Sequence, residues 1–202
     1  MFNFKDVDRS MLMKLVILHV AVIVVSNALV GIPVEIFGVK LTWAAFTFPL
    51  VVIATDLTVR LLGKQIARST IAVAYPFAII GSIAVVLLEG APTSVALRIG
   101  FASATAYAIG TMLDVYVFQH IREKWSNNWW LAPAVSTVAA NIIDTYTFFF
   151  TAFSGSANEY MAANWMEIAG SQTILKIFVG LIIFLPAYGV LLNQLQKKYK
   201  LK

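Results

Sequence analysis

The 202 residues include no cysteine, which excludes disulfides and thiolate metal sites. Histidine occurs only as His19 and His120, too few for a histidine-rich metal centre, and neither metal nor cofactor is expected. Charged residues make up only 12% of the chain. No glycine-rich nucleotide-binding loop is present, so the chain cannot use ATP by itself. The GxGD signature expected of an intramembrane aspartyl enzyme is also missing. What remains is overwhelmingly apolar: 60% of residues are hydrophobic and the mean hydropathy is +0.82. Soluble domains are about 45–50% apolar, so the composition is that of an integral membrane protein. The chain, residues 1–202, is expected to form one transmembrane domain, too short to carry a separate soluble one.

The charges divide the chain into spans. Lys14 and Glu35 bracket residues 15–34, Arg68 and Glu89 bracket 69–88, and Lys176 and Lys197 bracket 177–196. Each run is close to the ~20 residues needed to cross the hydrocarbon. Three further runs cross if one acid each is admitted: 41–59 with Asp56, 99–121 with Asp114 and 125–154 with Asp144. The expected fold is an all-α membrane protein of six transmembrane helices. The first run is too long for a signal-peptide core and has no small-residue cleavage site before Glu35, so it is expected to remain as the first span. Twelve of the 15 basic residues fall at one end of these spans, with Lys40, Arg98 and Lys176 at the other. The positive-inside rule then places both termini in the cytoplasm. Between the fifth and sixth helices, residues 157–169 are too polar to cross. Tyr160, Met161, Trp165, Met166 and Ile168 suggest a short amphipathic helix on the outer face, either an ordinary interfacial segment or a lid.

The intramembrane polar residues are the candidates for function. A carboxylate near the bilayer centre costs roughly 2.5–3.5 kcal/mol on insertion scales. A helix that only had to span would avoid it. At helical spacing Thr137, Asn141, Asp144, Phe148 and Thr151 share one face. That face is expected to look onto a cavity, although Asp144 pairing internally to lock the bundle is the competing reading. Lys176 either snorkels outward, the plainer reading, or faces Asp144. Counting ~1.5 Å of rise per residue puts Asn27, Asn141 and Asp144 in an outer polar layer above an inner layer of Asp56 and Asp114. Acids at two depths suit a proton or cation pathway. Arg60 stands one turn after Asp56 and is a candidate ion-pair partner. Val117 and Phe118 hold the equivalent places after Asp114, so Asp114 is the preferred proton carrier. Pro49 is expected to kink the second helix. The fourth span, with Gly100, Ala104 and Ala108 on one face and Ala102, Ala106 and Gly110 on another, is expected to be packed on several sides.

The stretches SNALVGIPVEIFG, TWAAFTFPLVVIATDLTVRLLGKQIAR, RIGFASATAYAIGTMLDVYVF, WWLAPAVSTVAANIIDTYTFFFTAF and NWMEIA together resemble the queuosine precursor transporter family. The resemblance runs over nearly the whole chain, with the TDL, LDV and IDT acids in the family's order. It implies a vitamin-uptake-type, multi-pass transporter of the bacterial inner membrane, not an enzyme. Its substrates would be 7-cyano-7-deazaguanine and its 7-aminomethyl relative, salvaged for tRNA queuosine. Such a ring presents N1–H and a 2-amino group, two adjacent donors suited to Asp144. Asn141 would answer the ring carbonyl, and Trp43, Phe48 and Phe148 are stacking candidates. Expected partners are that substrate and membrane lipid, not nucleic acid, with a homodimer left open. A substrate-binding membrane subunit of an energy-coupling complex is the main alternative, and a membrane-embedded aspartyl enzyme a weaker one.

Overall fold

A computed structural model of the protein describes residues 9–30, 33–36, 39–47 and 49–199. Apart from one hairpin, the described chain is helical. Helix α1 (Arg9–Val30) leads into an antiparallel pair of short strands, β1 (Pro33–Ile36) and β2 (Val39–Thr42), in which Pro33 stands opposite Thr42 and Ile36 opposite Val39. There follow α2 (Ala44–Thr47), α3 (Pro49–Leu62), α4 (Lys64–Leu88), α5 (Thr93–Lys124) and α6 (Leu131–Phe153). The last helical rod runs as α7 (Glu159–Val179), a π-helical turn (Gly180–Phe184) and α8 (Leu185–Tyr199).

Four described helical stretches are long and apolar enough to cross a membrane: Arg9–Leu29, Lys64–Leu88, Thr93–Lys124 and Glu159–Lys198. The two remaining expected spans differ from these for separate reasons. The run 41–59 starts inside β2, and the helix that follows from Pro49, α3, has 14 residues. At ~1.5 Å per residue this is about 21 Å, less than the ~30 Å of hydrocarbon. The expected kink at Pro49 falls at its junction with Phe48, which lies outside the described residues. Helix α6 has 23 residues, enough in length. Its Ser136, Thr137, Asn141, Asp144 and Thr145 lower its hydropathy, and all five are buried against protein.

The expected separate amphipathic helix at 157–169 is not found. From Glu159 onward these residues are the opening turns of α7, continuous with the final span. Asn158 caps the start, its side-chain oxygen accepting from Met161 N at 3.1 Å, which satisfies one of the amides orphaned at a helix beginning. Phe48, the terminal residues Lys5, Asp6 and Asp8, and Lys200 and Lys202 lie outside the described residues.

Helix α5 is the middle of the bundle, as its small residues imply. Half of its most apolar window is buried, against 17–28% in the other three crossing stretches. It packs along α6 on one side and α4 on another, with α3 also against it. Ala96, Ala102, Ala104 and Ala106 are all at most 1% exposed. The α5–α6 seam closes at Gly110, where an added Cβ would come within 2.9 Å of Asp144 Cβ. At the far end Arg98 of α5 caps α6: its guanidinium donates to the carbonyl oxygens of Thr151 (3.1 Å), Gly155 (3.3 Å) and Ser154. Those carbonyls lack helical partners and carry the negative end of the helix dipole.

Gly110→Val inserts bulk where two backbones meet, and overpacking of this kind costs about 1–3 kcal/mol. The variant is expected to lower the thermal unfolding midpoint of the purified protein in detergent by several degrees, whereas Ile109→Val on the exposed face leaves it unchanged. Equal midpoints for both variants would contradict the tight seam.

Candidate functional site

Helix α6 presents its polar face inward, onto α5 and the α7–α8 rod. Asp144 is buried, and its Oδ2 accepts a hydrogen bond from Lys176 Nζ at 3.1 Å. The same ammonium donates to Thr145 Oγ1 at 3.2 Å. Lys176 does not snorkel outward; it reaches across from α7 to α6. Burial supplies the reason, because a buried carboxylate with no partner costs far more than the conformational freedom the lysine gives up. One turn earlier, Asn141 donates through Nδ2 to the Thr137 carbonyl at 2.9 Å. Its side-chain oxygen is buried and unpartnered. Thr137, Asn141 and Asp144 thus form a buried acceptor-rich strip, held at one end by a single cation.

A second cluster lies further along α6. Ser136 Oγ donates to Asp56 Oδ1 of α3 at 3.2 Å. Asp114 of α5 stands beside both, within reach of the Ser136 hydroxyl and of the Asp56 carboxyl. Asp56 is 2% exposed and Asp114 0%. The expected inner acidic layer is therefore a pair of adjacent carboxyls joined by a serine that sequence reasoning did not single out. Eight residues separate Ser136 from Asp144, about 12 Å along the helix, so the two clusters stand at different levels of α6. Arg60 does not pair with Asp56. Its guanidinium turns to the Trp129 carbonyl oxygen at 3.5 Å, while Arg122 donates to the Arg60 carbonyl at 3.2 Å.

Between the two levels runs a narrow crevice of about 10 Å³, lined by Asp56, Thr137, Gly180, Phe184 and Tyr188 among others. At that volume it admits about one water molecule. Its far wall is the π-helical turn, a local widening of the helix that often marks functional positions.

The remaining predicted residues are scattered. Asn27 is occupied at both ends of its amide, donating to Ser82 Oγ of α4 at 2.6 Å and accepting from Ser103 Oγ of α5 at 3.0 Å. It fastens three helices together. Trp43 is about half exposed and packs on Phe46 with ring centres 5.7 Å apart. Phe148 is half-buried and packs edge-on against Phe149 and Phe153 of its own helix. The Ser26 hydroxyl is satisfied by Thr47 at 2.8 Å. Sequence reasoning also missed the buried His19–Tyr107 hydrogen bond, 3.0 Å, between α1 and α5. The one available signal was a polar ring on a helix otherwise almost free of polar groups.

Comparison with known proteins gives a family. Residues 42–191 match the family described as "Putative vitamin uptake transporter". The chain is 45% identical over 191 residues to the queuosine precursor transporter of Escherichia coli K12, covering 89% of this chain and 86% of that one. It is 35% identical over 206 residues to a probable queuosine precursor transporter of Haemophilus influenzae, covering 91% and 87%. A probable queuosine precursor transporter of Bacillus subtilis is 28% identical over 185 residues, covering 82% and 78%. No solved structure matches. The extent of these matches, which take in Asp56, Asp114 and Asp144 together, makes the chain a member of the queuosine precursor transporter family.

Proposed function

We propose that the protein imports 7-deazaguanine precursors of queuosine across the bacterial inner membrane as a secondary transporter, and that the Asp144–Lys176 pair is where the ring is held. In this reading the chain crosses six times, with α1, the α2–α3 segment, α4, α5, α6 and the α7–α8 rod as the spans and both termini in the cytoplasm. The observation that carries it is a buried carboxylate held by a lysine from another helix, in a chain 45% identical over 191 residues to a queuosine precursor transporter. The ring's N1–H and 2-amino group replace the Lys176 ammonium on Asp144, a bidentate charge-assisted exchange. The unpartnered Asn141 oxygen accepts a further donor. Lys176 and Thr145, once released, answer the ring carbonyl. An exchange of partners leaves no charge bare at any stage, and this keeps the barrier low in an apolar medium.

The Asp56–Asp114 pair is the proposed coupling element. Two adjacent buried carboxyls repel when both are charged, so one proton is held while the cluster is dry and released once it is wetted. Alternate wetting of the crevice beside Asp56 from the two sides would then tie import to the inward proton gradient. Lys176, on α7, faces Asp144; Arg60 and Arg122 lie on the other side, at the α3 and α5 ends.

Asp144→Asn keeps the size of the side chain but loses its charge. Uptake of labelled 7-cyano-7-deazaguanine by proteoliposomes is expected to fall at least tenfold, about 1.4 kcal/mol. Normal uptake by the well-folded variant would remove Asp144 from the site. In competition assays guanine should displace the precursor better than adenine, which lacks two adjacent donors; equal displacement would rule out this recognition. With an imposed gradient, inside alkaline, wild-type uptake should accelerate and accumulate above equilibrium, and Asp114→Asn should lose both effects. A wild type indifferent to the gradient would point to facilitated diffusion. Tight binding without any uptake by the purified protein would point to a subunit of a larger energy-coupling complex.

A further inference from the structure

Beyond the buried levels, one end of the bundle holds a much larger recess. A cavity of about 480 Å³ lies between the end of α3, the start of α6 and the α8 helix. Arg60, Trp129, Pro186, Gly189, Asn193 and Gln196 line it. None of these residues belongs to the acid clusters described above. The volume falls in the ~300–1,000 Å³ range of small-molecule sites, whereas the crevice beside Asp56 admits about one water. The two are nonetheless contiguous in the fold. Asp56 lines the crevice and Arg60, one turn further along α3, lines the recess; on α8, Tyr188 lines the first and Gly189 the second.

The recess is built around an indole. A Cβ at Gly189 would meet the Trp129 ring at 2.6 and 2.8 Å, so only a glycine lets that ring lie directly on the α8 backbone. The guanidinium of Arg60 reaches the Trp129 carbonyl from the other side. With 44% of its surface exposed, Trp129 remains available to a ligand. Around it stand two primary amides, Asn193 and Gln196, each offering a donor and an acceptor, and the donor fork of Arg60. An aromatic platform ringed by amides and a guanidinium matches a flat heteroaromatic ring with a mixed donor and acceptor edge. Among the described residues no carboxylate lines this recess, so recognition by them does not depend on the paired donors that Asp144 requires.

We propose that this recess is a second station for the same class of ligand, a planar purine-like base, one helical turn beyond the Asp56–Asp114 pair. The inference rests on the reading of the protein as a 7-deazaguanine transporter and assigns Trp129 as its stacking platform. A base released from Asp144 passes the π-helical turn and rests on Trp129 before leaving the bundle. The station is the weaker of the two, because it lacks a charge-assisted bidentate contact.

Equilibrium binding of labelled 7-cyano-7-deazaguanine to the full chain in lipid nanodiscs tests this. Wild type should saturate two sites of unequal affinity, and Asp144→Asn should keep only the weaker one. Adding Trp129→Ala or Gly189→Val to Asp144→Asn should weaken the remaining site about tenfold or more, the usual worth of a base–aromatic stack, while Trp129→Phe should retain it. Should Trp129→Ala prove unstable, Asn193→Ala and Gln196→Ala on the rim give the same reading. A single site in wild type that vanishes with Asp144→Asn and ignores Trp129→Ala overturns the second station and leaves the transporter reading intact. So does a Trp129→Ala effect confined to the stabilisation of the protein by added anionic lipid, since the recess would then be a lipid site. Failure of wild type to bind or carry any 7-deazaguanine overturns both.

Discussion

Placing a carboxylate in an apolar medium is the constraint on which this structure turns. Asp144 is tolerable only because helices α5 and α6 meet closely enough to shut out lipid and because Lys176 arrives from α7 to share its charge. The first condition is met by glycine: at Gly110 no side chain separates the two backbones. The second is met by a residue on a different helix. Between them these contacts fix how three of the longest helices pack, since breaking a buried ion pair by removing one partner costs about 3–5 kcal/mol. A contact that is this costly to break and yet rests on a single lysine suits a site where one set of donors replaces another.

The other buried polar groups divide into those that fasten and those that do not. Asn27 with Ser82 and Ser103, His19 with Tyr107, and Ser26 with Thr47 each join separate helices through neutral hydrogen bonds. Membrane bundles use such bonds where lipid gives helices no hydrophobic reason to associate. The Asp56–Asp114–Ser136 cluster is different in kind, because it sets two buried carboxyls side by side. Two carboxyls that repel when both are charged are poorly explained as a fastener. The cluster lies beside a crevice lined by Pro49 and by the π-helical turn, a departure from regular helix at the same level of the bundle. Irregular backbone at membrane depth is tolerated where it lines a cavity or is buried in protein.

The sequence by itself determined the class of protein, the positions of the apolar runs and which acids are set among apolar residues. Composition alone requires membrane insertion, and the interval between charges sets helix length, because both follow from the thickness of the hydrocarbon rather than from any particular neighbour. The inward polar face of α6 was legible for a similar reason: residues at helical spacing share a side whatever that side meets. Small residues on α5 announced its central place, since only a helix packed all round benefits from having so little side chain.

Only the tertiary structure decided the partners. The i, i+4 spacing of Asp56 and Arg60 suggested an ion pair, but Arg60 has the Trp129 carbonyl within reach and Asp56 has Ser136. Lys176 could snorkel outward or face Asp144, and the passage of α7 beside Asp144 decided for the second. Asn27 read as part of a binding layer until Ser82 and Ser103 were found at its two ends. The segment at 157–169 is polar enough to suggest a separate surface helix, yet nothing in it stops a helix, and α7 runs through it. In each case local spacing names a residue's neighbours on its own helix. A buried polar side chain instead takes whichever partner leaves least charge exposed to an apolar surrounding, and that partner comes from another helix whose position the linear order does not specify.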